Sequence, residues 1–321
     1  MIALDCLGGD GAPRVVVEGA VEAVRAGVGV ILVGPADVLR EELARAGAGD
    51  LANLTIEDAP EGVTMDESPL AAMRRKPRAS IRVACELVAS GAAAAVYSAG
   101  HTGASLLAAH SAFGVLPGVE RAALAVIVPT ERGQSVLLDA GANVDCRPSH
   151  LAQFGVMGAA VARVLLRVPD PRVALLSIGE EAGKGNELTK EAYAALSAMP
   201  LNFIGNLDAA QWFRGGADVI VCDGFVGNIA LKVGEAVVDM IAATLLSGAK
   251  EPPAGLPAEA WARFDYAKAG GAPLIGVNGL LVVGHGRSTS RAIANGIALT
   301  ARLAQGGVVA QVAESVGRVL K

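Results

Sequence analysis

Six short loops carry most of the residues of this chain that could do chemistry, and each is rich in glycine. They are LGGDGAP (Leu7–Pro13), SAGHTGA (Ser98–Ala104), DAGANVD (Asp139–Asp145), GEEAGKGNE (Gly179–Glu187), CDGFVGN (Cys222–Asn228) and GHGRS (Gly284–Ser288). Glycine lets backbone N–H groups approach an anion closely, and a helix N-terminus adds partial positive charge. One such loop alone reads as a tight strand-to-helix turn. Six of them, also carrying Asn, Thr, Lys or Arg, read as a place built for a small anion.

Standard nucleotide motifs do not fit. Gly179–Gly185 has three residues between its first two glycines where a P-loop needs four, and Gly185 stands where Ser or Thr would ligate magnesium. No strand is followed by GxGxxG, so a Rossmann dinucleotide site is not expected either. Lys184 reads as a solvated loop lysine or, buried among glycines and facing Asn186, as a single cation held over a small anion. No nucleophile stands out. Cys6 and Cys146 have no neighbouring His in sequence and read as packing residues, while Ser98 and Ser288 lack a GxSxG elbow. That absence points to direct attack by an external nucleophile, with the protein supplying position and electrostatics.

The elements that must position these loops alternate along the chain. Ile2–Asp5 reads as a strand, Pro13–Ala26 as an amphipathic helix, Val28–Val33 as a strand and Asp37–Ala46 as a helix. Further strands are expected at Ala92–Ser98, Ala123–Val128, Ser135–Asp139, Val173–Ile178, Val219–Asp223 and Leu280–Val283, and a long helix begins near Val226. Continuous apolar strands are buried on both faces, as in a parallel or mixed sheet between helix layers. The class expected is α/β, doubly wound, with ligands beyond the carboxyl ends of the strands. Met65–Pro77 reads as a polar insertion. No clean domain cut is visible, so residues 1–321 read as one large α/β domain with a protruding elbow at about 240–268, least strand-like over Ser247–Pro257.

Composition bounds the function. Of 321 residues, 52% are hydrophobic and 18% charged, which excludes a disordered chain. Aromatics are 3%, too few for a base-stacking platform. The 27 basic and 32 acidic residues give a net charge of −5, so no nucleic-acid partner is expected. The cysteines (Cys6, Cys85, Cys146, Cys222) form no CxxC and the histidines (His101, His110, His150, His285) no HxxxH, so no metal site is expected. Asp5 and Asp10 stand where an export signal would need an apolar run, and every apolar stretch is interrupted before membrane-spanning length. The expectation is a soluble cytoplasmic protein.

Taken in order, the segments ALDCLGGDGAP, SAGHTGA, DAGANVDCRP, GEEAGKGNELTKEAY, FIGN followed by DVIVCDGFVGNIALK, and GAPLIGVNGLLVVGHGRS span nearly the whole chain. Together they resemble the phosphate acyltransferases of bacterial phospholipid synthesis, the acyl carrier protein:phosphate transacylases of the PlsX type. His101 stands where that family usually has Asn. The resemblance implies a Rossmann-like α/β/α sandwich with a mostly parallel sheet, similar to the phosphotransacetylase and isocitrate dehydrogenase fold, working as a homodimer without a cofactor. It implies transfer of a fatty acyl group from acyl carrier protein to inorganic phosphate. The acyl phosphate formed would feed a membrane glycerol-phosphate acyltransferase.

A thioester carbonyl attacked by phosphate develops negative charge beside an anion, so donors and one or two cations should hold both. Lys184, Arg287 and His285 are the candidate cations, and Asn228 and Asn186 candidate donors to the carbonyl oxygen. Arg287 reads equally as a structural partner of Asp139 or Asp223, and Asn228 as a cap of the long helix. Asp10, Asp139, Asp145 and Asp223 are expected to orient these donors or act as base. Gly8, Gly9, Ser98, Gly100, His101, Thr102, Gly103, Asn143, Gly185, Gly224, Gly286 and Ser288 complete the expected substrate-binding set.

Three rivals stand beside this reading: a short-chain acyl-CoA phosphotransacetylase, a nicotinamide-dependent dehydrogenase of the isocitrate-like fold, and a non-catalytic membrane scaffold. No second Asp lies one helical turn after Asp223 to help hold the metal such a dehydrogenase usually needs. The run Val237, Val238, Met240, Ile241, Leu245 and Leu246 suggests a dimer interface on the long helix. Leu256 and Trp261, with Lys250 as the one lysine between Leu246 and Trp261, suggest weak peripheral membrane contact.

Overall fold

A computed structural model describes residues 1–49, 51–246 and 270–319. Eleven strands lie among them: β1 (Ile2–Asp5), β2 (Val30–Gly34), β3 (Leu54–Asp58), β4 (Ala95–Ser98), β5 (Ala123–Thr130), β6 (Gly133–Leu138), β7 (Val173–Leu176), β8 (Phe203–Leu207), β9 (Val219–Val221), β10 (Ala272–Ile275) and β11 (Leu281–Val283). The described helices are α1 (Arg14–Arg25), α2 (Ala36–Arg45), α3 (Pro69–Arg75), α4 (Ser80–Ala89), α5 (Thr102–Phe113), α6 (Pro148–Leu165), α7 (Glu187–Ser197), α8 (Ala209–Phe213), α9 (Gly224–Leu246), α10 (Ser290–Gln305) and α11 (Val308–Val319). Two compact units emerge, Met1–Ala122 with Ala269–Gly317 and Ala123–Lys268 with Arg318–Lys321. The chain leaves the first unit and returns to it, so neither unit is a single stretch of sequence. A scan along the sequence for linkers therefore sees one domain of 1–321. The expected elbow falls, beyond the end of α9, outside the described residues, and Lys250, Leu256 and Trp261 with it.

In the first unit the strand order is β3-β2-β1-β4-β11-β10, parallel except for the antiparallel β10–β11 pair. Every residue of β1 and β4 is buried. Side chains alternate between the two faces of a strand, so helices must cover both faces. Helices α1 and α10 pack on each other and on these strands, and α4 and α5 form a second packed pair. The α1–α10 approach depends on Gly19, where a Cβ would lie 2.6 Å from Ile293 Cβ and from the Ser290 carbonyl.

In the second unit the order is β5-β6-β9-β7-β8, with β5–β6 an antiparallel hairpin and the rest parallel. Its α6 is apolar around most of its circumference and buried from His150 to Ala162, as such a helix must be. Gly158 lets Val219 approach it, since a Cβ there would stand 2.5 Å from Val219 Cγ1. Helix α9 is comparably apolar, yet Phe225, Ile229, Val233, Val237, Met240 and Ile241 are exposed on it. Among the described residues no helix is long and apolar enough to cross a membrane.

Both units are the mostly parallel α/β architecture that the alternating pattern predicts. Three strands escape that pattern for physical reasons. The half-buried and exposed residues of β3 form no apolar run, β8 is broken by Gly205 at φ +99, and β10 contains Pro273. The Met65–Pro77 insertion holds α3, which starts with Pro69 after an extended Ser68. The expected strand Val173–Ile178 stops at Leu176, leaving Ile178 82% exposed.

Candidate active site

Register sets the first loop cluster. Leu4 lies beside Tyr97, and Val283 beside Ser98, so the carboxyl ends of β1, β4 and β11 are level. Asp5, at the end of β1, is buried and accepts hydrogen bonds from Ser98 Oγ (2.7 Å), Ser80 Oγ (2.6 Å) and the Leu7 N–H (3.3 Å). Ser98 Oγ in turn accepts from the Gly100 N–H at 3.1 Å. The Gly8 and Gly100 loops touch, because a Cβ on Gly8 would stand 2.7 Å from both Gly100 N and Asp5 Oδ2. Asp10 donates its N–H to the Gly286 carbonyl (2.8 Å), which laces the β11 loop to the β1 loop, and Gly9 turns between them at φ +112. The structure thus brings Gly8, Gly9, Asp10, Ser98, Gly100 and Gly286 together.

Around that floor the other expected residues have defined places. His101 caps α5, its Nδ1 accepting from the Gly103 N–H at 3.2 Å, so that nitrogen is an acceptor rather than a donor to substrate. Thr102 is exposed on the first turn of α5. His285 Nδ1 accepts from the Arg287 N–H at 3.3 Å, and the Arg287 side chain is exposed. The Ser288 hydroxyl pairs with the buried Tyr97 hydroxyl.

Burial pushes the Asp5 carboxyl above its ordinary value of 3.8, against the Ser80, Ser98 and Leu7 donors that pull it down. The native state therefore holds this proton more tightly than the unfolded chain. Its contribution to stability is full below the unfolded pKa and is lost as pH rises through the raised native value. Asp5→Asn keeps the shape and removes the titration. Its melting temperature should gain on that of the wild type as pH rises from about 4 to 7. A gap between the two that stays constant over that range refutes the assignment.

The second cluster is built the same way. Leu138, Val221 and Leu175 are in register across β6, β9 and β7, so the loops after these strands adjoin. Asp139 is fully buried at the end of β6. Its Oδ1 accepts from the N–H groups of Leu124 (2.9 Å), Gly141 (3.2 Å) and Ala142 (3.1 Å). Its Oδ2 accepts from the Asn143 N–H (2.7 Å) and Nδ2 (2.9 Å). Both oxygens of Asp139 are thus taken up by its own loop and by β5, and the carboxyl shapes that loop. The Asn143 carbonyl then accepts from the Gly224 N–H at 2.7 Å, which fixes the start of α9. Asp145 is exposed further along the loop.

Asp223, not Asn228, caps α9, its Oδ1 accepting from the Val226 N–H at 2.9 Å. Asn228 is left exposed with its side chain against Gly141, whose Cβ position lies 3.5 Å from Asn228 Cγ. On the β7 loop two expectations are corrected. Lys184 is exposed rather than buried, because the turn that carries it, Glu180–Lys184, is itself exposed throughout. Asn186 does not face it. Asn186 caps α7 instead, with Oδ1 accepting from the Thr189 N–H at 2.9 Å, the usual use of Asn before a helix. Gly185 has φ +103, and a Cβ there would collide with the Thr189 hydroxyl and stand 2.9 Å from Ser177 Oγ.

The chain is matched along nearly its whole length in known proteins. The model of a family described as fatty acid synthesis protein matches residues 1–311. A phosphate acyltransferase of Desulforudis audaxviator is 47% identical, covering 99% of this chain and 96% of the relative. Another, from Nitratidesulfovibrio vulgaris strain DP4, is 48% identical over 94% of this chain and 90% of its own. The chain belongs to this family. It is an acyltransferase enzyme, as its relatives are. In fold the phosphate acyltransferase chain is similar to a phosphotransacetylase from Streptococcus pyogenes, with TM-score 0.66, 21% identity and coverage of 95% and 93% of the two chains.

For an acyltransferase the thiols matter, since one of them as nucleophile would carry the acyl group covalently. Burial pushes the Cys6, Cys85 and Cys222 thiols far above the ordinary range, so none is a thiolate at neutral pH. Cys146 is half-buried and its Sγ lies 3.7 Å from the Asn143 carbonyl. Both clusters instead hold glycine turns with an exposed cation, Arg287 in the first and Lys184 in the second. Sequence reading missed Asp5, Ser80, Ser177 and Asn206. Asp5 and Asn206 lie inside the quoted ALDCLGGDGAP and FIGN segments, but their partners are far away in sequence, so no spacing could reveal them.

Proposed function

We propose that this acyltransferase moves a fatty acyl group from acyl carrier protein to inorganic phosphate, giving acyl phosphate and free carrier protein for phospholipid synthesis. A phosphate oxygen attacks the thioester carbon, the C–S bond breaks, and the proton of hydrogen phosphate ends on the carrier's sulfur. Phosphate is largely ionised at neutral pH, so no strong general base is required.

The observation that carries the reading is that Lys184 is exposed on the glycine turn after β7 and Asn228 is exposed near the start of α9, which follows the adjoining strand β9. Asp139 and Asp223, which could have neutralised or blocked them, are turned inward on backbone N–H groups. We assign Lys184 to phosphate and the developing oxyanion, and Asn228 to the carbonyl oxygen. The test is phosphate-dependent release of free carrier protein from palmitoyl carrier protein, with acyl phosphate trapped by hydroxylamine. Release that does not depend on phosphate refutes it. Faster turnover with short-chain acyl-CoA would instead favour the phosphotransacetylase reading, which the fold likeness supports.

We also propose a homodimer through α9 and a cytoplasmic protein with weak peripheral membrane contact. Phe225, Ile229, Val233, Val237 and Ile241 recur at every fourth position and are exposed, so a stripe along the helix lacks cover among the described residues. Light scattering at micromolar concentration should give twice the 32.3 kDa chain mass, and Val233→Glu should lower it. A monomeric mass for the unaltered protein overturns the dimer.

A further inference from the structure

Beneath the Lys184 turn lies a buried amide that the assigned chemistry does not use. Strands β7 and β8 pair Val173 with Phe203 but Leu175 with Asn206, so β8 absorbs one extra residue. Gly205 at φ +99 makes room for it. Such bulges re-aim the side chain that follows. Here that side chain is Asn206, which is 5% exposed. Its Nδ2 donates to the Glu181 carbonyl at 2.8 Å. The same carbonyl accepts from the Lys184 N–H at 2.9 Å and closes the turn that carries the lysine.

Among the described residues Asn206 Oδ1 has no hydrogen-bond partner, and neither has the buried Ser177 Oγ nearby under Gly185. Burying an amide oxygen without a partner opposes folding, and native structures rarely keep such a group without a use. An apolar side chain in the same place would avoid that penalty but would leave the turn untied. The use visible here is the Nδ2 bond to Glu181.

We propose that Asn206 is a positioning residue of this acyltransferase, acting on the reaction through Lys184. The inference rests on the reading that Lys184 meets phosphate and the oxyanion. With the amide in place the turn holds its ammonium at one position. Without it the turn keeps its internal bond but loses its tie to the sheet, and a displacement of about 1 Å at a reacting centre is enough to lower turnover tenfold to a hundredfold.

The experiment is a double-mutant cycle on the full chain, read by phosphate-dependent release of carrier protein. Asn206→Ala should lower kcat about tenfold or more and leave KM for the acyl carrier substrate within about twofold. Asn206→Asp, equal in shape but without the N–H, should lose as much, and whichever variant is less well folded by thermal denaturation is set aside in favour of the other. In a Lys184→Met background either change should cost nothing further, because the group it positions is gone. Asn206→Ala at wild-type turnover beside an inactive Lys184→Met overturns this proposal alone. An equal loss from Asn206→Ala in both backgrounds also overturns it, showing a role in the fold rather than through Lys184. Lys184→Met at wild-type turnover overturns the underlying reading and this proposal with it.

Discussion

Lys184→Met is expected to lower turnover by about 10²–10³, equivalent to roughly 3–4 kcal/mol of lost transition-state stabilisation. The attack of phosphate on a thioester gathers charge on the carbonyl oxygen next to an anion already charged. An ammonium that bridges both is worth most at the moment the oxyanion forms. Methionine keeps the unbranched stem, which lies against Gly179, and deletes only the charge. Because the side chain is exposed, the melting temperature should stay close to that of the wild type. The check is initial rate against phosphate concentration together with a melting curve. Retention of more than about a tenth of wild-type turnover would remove Lys184 from the chemistry. Loss of the fold would make it structural and shift the site to Arg287 and His285.

Asp139→Ala should produce the largest loss of stability among the site residues. Its two oxygens gather N–H groups from Leu124, Gly141, Ala142 and both nitrogens of Asn143. Alanine leaves these donors with no acceptor at a fully buried position, and a single bond to a charged group is worth about 1.5–3 kcal/mol. A total of about 3 kcal/mol or more is expected, lowering the melting temperature by about 6–12 °C for a unit of this size. Asn is no remedy, since its amide would turn an N–H toward an N–H. Turnover should fall as well, because the Asn143 carbonyl secures the Gly224 N–H at the start of α9, four residues before Asn228. Asn143→Ala removes the Nδ2 bond to Asp139 but keeps the backbone bond, and should cost about 1 kcal/mol. A melting temperature for Asp139→Ala within about 2 °C of wild type would show that the loop does not depend on this carboxylate.

Much of the site was legible before any coordinates. Each of the six glycine loops does follow a strand, and in each the reason is local. An apolar β-rich run such as Ile2–Asp5 or Val219–Val221 gives way within three residues to glycine, at Gly8 and Gly224. The helix pattern then restarts within a few residues. The roles within the loops were less legible. His101, Asn186 and Asp223 all read as substrate contacts, yet all three are spent on helix N-termini. Sequence shows that a polar residue precedes a helix. Whether its side chain turns back onto the backbone or outward is a matter of χ angles.

Local pattern by itself determined the α/β class, the position of most strands and the glycine loops that follow them, because hydrophobic periodicity and glycine act over a few residues. Tertiary structure alone decided which distant groups meet. Asp5 is joined to Ser80 and Ser98 by strand register and by the docking of α4. Asn206 reaches Glu181 only because β8 bulges at Gly205. Division into two units was also hidden, since the first unit is interrupted in sequence by the whole of the second apart from its last residues. Exposure followed the same rule. Helices α6 and α9 are similar in apolar content, yet α6 is enclosed by β6, β9 and α7 while α9 shows its apolar stripe to solvent. Composition states how much apolar surface a helix has, and only packing against the rest of the chain states how much of it is covered.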